Sequence, residues 1–470
     1  MPALNSILNG IAVLMLTIVL SVALFSQPPD NISPATPDPQ IAAALHEVSP
    51  ERIQQTIEKL VSFDTRSTLS SDMPASSGKG ATAAAEWIRS EFERYAKACG
   101  GCLEVKTDEF TQEPGPRLPT PTKITNVYAV LRGTDSANAG RIVLVTGHYD
   151  SRDSDNNDAK GAAPGANDDG SGTAVSLECA RVLSQHRFPA TIIFLTVAGE
   201  EQGLYGSAHF AKMAKAAGWD IEAVLNNDIV GGDRTPGDTL QNRHVVRVFS
   251  EGIATTATDK ELRLVRSLGG ESDGPSRQLA RYVASVAKEY LPPATFSPLL
   301  VFRHDRYLRG GDHFSFNEQG FAAVRFTEFR ENYNHQHQNV RTENGIEYGD
   351  LPKFVDYDYT SNVARLNAAT LASLASGPAP PANVRLLTKE LQNDSALAWE
   401  QSPGGLATGY EVLWRDTTAA EWQHVKPVGN VAGNVTQATL PLSKDNVVFA
   451  VRALDARGHR SMAIVPLPEH

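Results

Sequence analysis

The chain has 470 residues, of which 41% are hydrophobic, 21% charged and 7% aromatic, the usage of folded globular protein rather than of disorder or coiled coil. At about 100–200 residues per domain this length fits roughly two to four folded units. With 43 basic against 54 acidic residues the net charge is −11, which leaves no basic footprint for nucleic acid.

Three cysteines exclude a disulfide scaffold, and the lone Cys99-x-x-Cys102 pair lacks the second pair that a zinc ribbon needs. A local disulfide between them and two small residues at a helix end are equally good readings, whereas Cys179, among Val175, Leu177 and Val182, reads as a buried core thiol.

From Ile11 to Phe25 the chain is apolar apart from Thr17 and Ser21, which is shorter than the ~20 residues of a comfortable membrane span. Residues 1–26 are therefore expected to form a signal peptide, with Ser21 and Ala23 as small residues for cleavage, or an uncleaved signal anchor, since no Lys or Arg precedes them. Either predicts export, to a secreted or periplasmic location, with membrane contact only if the segment is retained. Pro28, Pro29, Pro34, Pro37 and Pro39 mark residues 27–45 as a Pro-rich linker.

Ser49-Pro50-Glu51 is an N-cap, a first-turn proline and an acid suited to the helix dipole, followed by Ile53, Ile57, Leu60 and Val61 at helical spacing. A second amphipathic helix is predicted from about Thr82 to Ala98, and a third from about Gly172 to Gln185. Strand-like runs occupy Ile124 to Leu131, Arg141 to Thr146, Thr191 to Val197, Glu222 to Leu225 and Ala322 to Thr327. Residues 46–375 thus read as an α/β domain with a mixed, mostly parallel sheet sandwiched by helices.

Gly377-Pro378-Ala379-Pro380-Pro381 gives residues 376–381 the look of a stiff linker. Beyond it, Ala396 to Trp399, Tyr410 to Trp414 and Val447 to Val451 are short alternating runs that predict an all-β sandwich over residues 382–466. This segment resembles a fibronectin type III domain, through which an association with surfaces or substrate is expected.

In α/β sheets, sites form beyond the carboxyl ends of the strands. There the sequence places His148 and Asp150, the run Asn167-Asp168-Asp169-Gly170-Ser171-Gly172 ahead of a helix, Glu200-Glu201, Asn226-Asn227-Asp228 and Asn334-His335-Gln336-His337. Each fragment alone is common on solvated loops. Together they place imidazoles and carboxylates at successive strand ends, where burial is costly unless they are paired or bound to a cation. Mixed His and carboxylate donors suit zinc, and a bridging carboxylate suits a pair of ions about 3.5–4 Å apart.

In order and spacing, Thr146 to Asp150, Gly165 to Gly172, Gly199 to Gly206 and Asn226 to Gly231 resemble the co-catalytic dizinc aminopeptidase family, a zinc exopeptidase group that also has carboxypeptidase-like and glutaminyl cyclase-like members. The resemblance spans about residues 45 to 375. It implies two zinc ions, peptide substrates, and His148 and Asp228 as ligands of one ion. Asp168 would bridge, and Glu201 and a late histidine would hold the other ion. Asp150 would orient His148, and Glu200 would be the general base. The late histidine is expected at His335, because Asn339 follows a few residues on, with His337 and His313 as rivals. A metallocarboxypeptidase would use the same ligands and is kept as the alternative to an aminopeptidase.

Other readings stay in competition. Gly270-Glu271-Ser272-Asp273-Gly274 matches a nucleophile elbow and would make Ser272 a serine-hydrolase nucleophile. A one-zinc glutaminyl cyclase and an inactive binding protein share the predicted fold. The acidic loop Asp153 to Asp158 fails the EF-hand pattern and is expected to be a solvated pocket rim.

Overall fold

Alternation along the central strands sets the architecture. Val143 and Val145 enter one apolar core and Ile142 and Leu144 another, and Ile192 with Phe194 against Ile193 with Leu195 repeat the division on the neighbouring strand. Strands buried on both faces require helices above and below.

The computed structural model describes residues 30–469 apart from 33, 293 and 430–434; the expected signal segment lies outside the described residues. Eight strands form the main sheet, in the order Leu103–Gln112, Thr122–Leu131, Thr191–Val197, Arg141–His148, Asp220–Asn227, Ala323–Glu328, Val245–Ser250 and Ser297–Val301. The middle four, Thr191–Val197 through Ala323–Glu328, are mutually parallel, so their carboxyl ends meet at one edge of the fold. Pro50–Val61, Gly80–Ala98, Gly170–Leu183, Pro275–Tyr290 and Tyr357–Ser376 cover one face, and Tyr205–Ala216 with His313–Asn317 cover the other. Ser49 caps Pro50–Val61 by accepting from the Arg52 amide, and Ile53, Ile57 and Leu60 are buried beneath it.

Three strands of this sheet have no counterpart in the sequence reading. All three lie toward the sheet's margins, and on Leu103–Gln112 only Leu103 is buried, so no apolar run betrays it.

The Pro-rich segment is not a linker. Asp30–Asn31 pairs antiparallel with His424 and Val425, and Pro39–His46 is a helix capped by Asp38 that buries Ile41, Ala44 and Leu45. Of its described prolines, Pro34 and Pro37 lie between these two elements and Pro39 is the first helical residue, where a missing N–H costs nothing.

Residues 376–381 do not form a free linker either. Ser376 through Ala379 are buried, and Arg141 donates from Nη1 to the Gly377 carbonyl at 2.9 Å. Two four-stranded sheets follow and pack around Leu397, Trp399, Tyr410, Val412, Phe449 and Val451. The last strand, Leu467–Glu469, runs beyond the expected end at 466 and pairs parallel with Ala382–Leu387. This sandwich is docked on the α/β unit: Arg415 reaches Asp273 at 2.6 Å, and the Tyr282 hydroxyl donates to the Arg460 carbonyl at 3.0 Å. Among the described residues no helix is long and apolar enough to cross a membrane.

Candidate active site

His148 ends its strand, and its backbone amide donates to Asp169 at 3.0 Å. Its Nδ1 lies 3.1 Å from the carbonyl oxygen of Asp150 and 3.4 Å from the carboxylate Oδ1 of that residue. The expected orienting partner is therefore in place, with its main chain nearer than its side chain. The other Asp150 oxygen accepts from Thr68 Oγ1 at 3.0 Å and from the Glu201 amide at 3.3 Å.

The turn ahead of Gly170–Leu183 presents Asp168. Asp169 caps that helix by accepting from Gly172, and a side chain at Gly172 has no room: a β-carbon there would stand 2.2 Å from the Asn227 carbonyl. Behind the turn, Asp350 accepts from the amides of Asn167 at 2.8 Å and Asp168 at 2.7 Å, and burial pushes its carboxyl up to about 6. The fully buried Arg66 ties the same loops together by donating to the carbonyls of Tyr149, Pro164 and Gly165.

Asp168 Oδ1 lies 3.3 Å from His148 Nε2, and its Oδ2 lies 2.8 Å from His337 Nε2. Gly199, at a left-handed φ of 80°, turns the chain out of Thr191–Val197 so that Glu200 and Glu201 begin a short helix. Glu201 Oε1 is 3.0 Å from His337 Nε2. Asp228, just past its strand, has Oδ1 3.9 Å from His148 Nε2 and 2.9 Å from Arg325 Nη2. The donor atoms form two groups, His148 with Glu200 and Asp228, and Asp168 with Glu201 and His337, each spanning no more than 4.8 Å.

His335 is not in either group, which corrects the expectation for the late histidine. Its Nδ1 bonds to Asp233 and its ring stacks on Phe354 with centroids 3.7 Å apart, so the side chain is committed away from Glu201. His337, at a φ of 55°, turns the opposite way and takes that place. His313 is also excluded: its Nε2 bonds to the His304 carbonyl at 3.0 Å, and burial pushes its imidazole down to about 3.

The electrostatics mark a cation-seeking centre. Burial opposes the charged form of His148, yet hydrogen bonds to Asp150 and Asp168 hold it well above the usual histidine range. Desolvation raises the Glu200 carboxyl well above its ordinary value; His148 opposes this, and Asp228 and Glu201 reinforce it. Imidazole nitrogen and carboxylate oxygen in both groups are zinc donors, so the residues fit that metal.

Ser272 is not a nucleophile at a strand end. Gly270–Gly274 joins the helices Asp259–Leu268 and Pro275–Tyr290, where Asp273 anchors the sandwich. The acidic loop closes on itself: Asp153 accepts from the Asp155 amide, and Asp158 from those of Lys160 and Gly161. Thr68, Arg66, Asp350 and Arg325 escaped the sequence reading. Only Arg325 had a signal, as a lone charge within a strand expected to be buried.

A sequence model of peptidase family M28 matches residues 126–356, the stretch that holds both donor groups. A probable zinc metalloprotease of Pyrenophora teres f. teres is 44% identical over 450 residues, covering 94% of this chain and 90% of the relative. Another, from Pyricularia oryzae, is 45% identical over 443 residues, covering 93% and 86%. Among solved structures, the LapA aminopeptidase of Legionella pneumophila superposes with a TM-score of 0.51 at 23% identity, over 75% of this chain and 79% of that one, a likeness of fold.

Proposed function

The chain belongs to peptidase family M28 and is a zinc metallopeptidase, and we propose that it is an exported aminopeptidase holding two zinc ions. The observation that carries this reading is Asp168, whose two oxygens face two different imidazoles. His148 and Asp228 would hold one ion, Glu201 and His337 the other, with Asp168 shared. When bound, zinc supplies a Lewis acid that polarises the scissile carbonyl and makes water a competent nucleophile near neutral pH.

The protein's own groups do the rest. Glu200, half-buried beside His148 and Asp228, takes the proton of the attacking water on its carboxylate and passes it to the departing amine. Asp150 fixes the His148 ring through Nδ1, which leaves Nε2 directed at the centre. Asp350 and Arg66 hold the Asp168 turn rigid from behind.

Export is supported by the apolar run Ile11 to Phe25 and by the disulfide between Cys99 and Cys102, a bond at home in oxidising compartments. The sandwich, read as fibronectin type III-like, would serve surface or substrate association.

The test pairs composition with chemistry. Purified protein is expected to contain about two zinc ions per chain, to lose hydrolysis with a chelator and to regain it with zinc. It should cleave peptides with a free amino terminus and spare their N-acetylated forms. Activity that survives chelation, or that ignores the amino terminus, would overturn the reading.

A further inference from the structure

Beside Asp228 the wall of the site carries more guanidinium than carboxylate. Three arginines converge on Glu331: Arg247 Nη2 lies 2.9 Å from Oε1, and Nη1 of Arg306 and of Arg309 each lie 2.7 Å from Oε2. Arg306 also holds Asp305 at 2.9 Å, whose other oxygen takes Arg325 at 3.0 Å, and Arg325 continues to Asp228. Four guanidiniums thus share three carboxylates, and one of those, Asp228, belongs to a metal-donor group.

Arg309 is the most exposed member of this set. Its side chain is 31% exposed, against 19% for Arg247, 9% for Arg306 and 0% for Arg325, and of its guanidinium nitrogens only Nη1 has a hydrogen-bond partner among the described residues. Its neighbours in the chain and in space also connect it to the site. Two residues on, Gly311 packs so tightly that a β-carbon there would be 3.2 Å from Asp228 Oδ2. On its other side the Arg309 guanidinium carbon lies 5.8 Å from the ring centroid of Tyr333, which is 63% exposed and opens the turn that carries His337.

We propose that Arg309 is a specificity residue that binds a carboxylate of the substrate close to the scissile bond. This rests on the peptidase reading above. With Nη1 kept on Glu331, the remaining nitrogens form a fork that matches two carboxylate oxygens, and the unbalanced arginines behind it favour an anion over a neutral group. The Tyr333 ring flanks the guanidinium and restricts its swing. The carboxylate belongs either to an acidic side chain at the free amino end or to the terminal carboxyl group of a dipeptide, and both offer the same pair of oxygens.

Three ligands separate these sources: Asn-Ala amide, Asp-Ala amide and Asn-Ala with a free carboxyl terminus. Dissociation constants are measured by calorimetry on the full-length, zinc-loaded Glu200→Gln protein, and kcat/KM on the unsubstituted protein. One of the two carboxylate-bearing ligands is expected to bind at least about tenfold more tightly than the amide, the scale of a charge-assisted fork. Arg309→Gln should remove that preference, and Arg309→Lys should keep part of it.

Equal binding of all three ligands overturns the proposal, as does a preference that persists in a folded Arg309→Gln protein. Because binding is read apart from turnover, a protein that prefers the carboxylate but cleaves none of the three upholds Arg309 and refutes the peptidase reading. One that binds and cleaves all three alike does the reverse.

Discussion

Asp168 and His337 meet at 2.8 Å from Oδ2 to Nε2, while the other oxygen of Asp168 faces His148 at 3.3 Å. One carboxylate held between two imidazoles is the arrangement that a shared ligand of two ions requires. Its backbone amide is held by Asp350, so the orientation is built into the fold.

His337→Ala should therefore lower zinc content from about two ions per chain to about one. His335→Ala should keep both and instead lower stability by about 1–3 kcal/mol, since it removes the imidazole partner of Asp233 Oδ2 and empties the face of Phe354. Elemental analysis and urea unfolding of the two variants check this. Loss of zinc from the His335 variant alone would restore the original assignment.

Adjacent carboxylates should behave differently. Glu200→Gln keeps shape and removes basicity, so turnover should fall by about 10²–10⁴-fold with zinc retained. Glu201→Ala removes a donor that lies 3.0 Å from His337, so zinc and activity should fall together. Metal content measured beside turnover distinguishes the two roles, and near-normal turnover in Glu200→Gln would remove the base.

The arginine wall predicts a pH signature. Burial alone would raise the Glu331 carboxyl, but Arg306, Arg325, Arg309 and Arg247 hold it down at about 2, below its ordinary 4.5. Between those values the unfolded chain binds a proton that the native protein does not, so this contribution is complete above 4.5 and is lost as pH falls toward 2. Glu331→Gln should cost on the order of 2–4 kcal/mol at neutral pH and progressively less under acid. Urea unfolding across pH 3 to about 7 measures it; a cost independent of pH would show that packing, not charge, is what the residue supplies.

Asp273 is the interdomain counterpart. It pairs with Arg415 at 2.6 Å and Arg281 at 3.4 Å, all three side chains being under 10% exposed. Asp273→Asn leaves two buried guanidiniums with a weakened partner and should cost about 3 kcal/mol or more, with zinc content unchanged. Thermal unfolding and elemental analysis together check it. Zinc loss would mean that the sandwich helps shape the metal centre.

The sequence by itself determined the central strands, the helix begun by Ser49 and Pro50, and the carboxylates at the strand ends. These depend on local periodicity, capping and the rule that parallel strands deliver their carboxyl ends to one edge. His148, Asp168, Glu200, Glu201 and Asp228 were legible for that reason, each lying at a strand end or ahead of a helix. Which of two histidines two residues apart turns inward was not, because it depends on Phe354 and Asp233 being ready to receive His335. The tertiary structure likewise turned the Pro-rich stretch into a strand and a helix, and buried the supposed linker beneath Arg141. Arg66, Asp350, Arg309 and Arg325 carry no motif, and their importance arises from contacts between segments distant in the chain, where burial makes every charge find a partner.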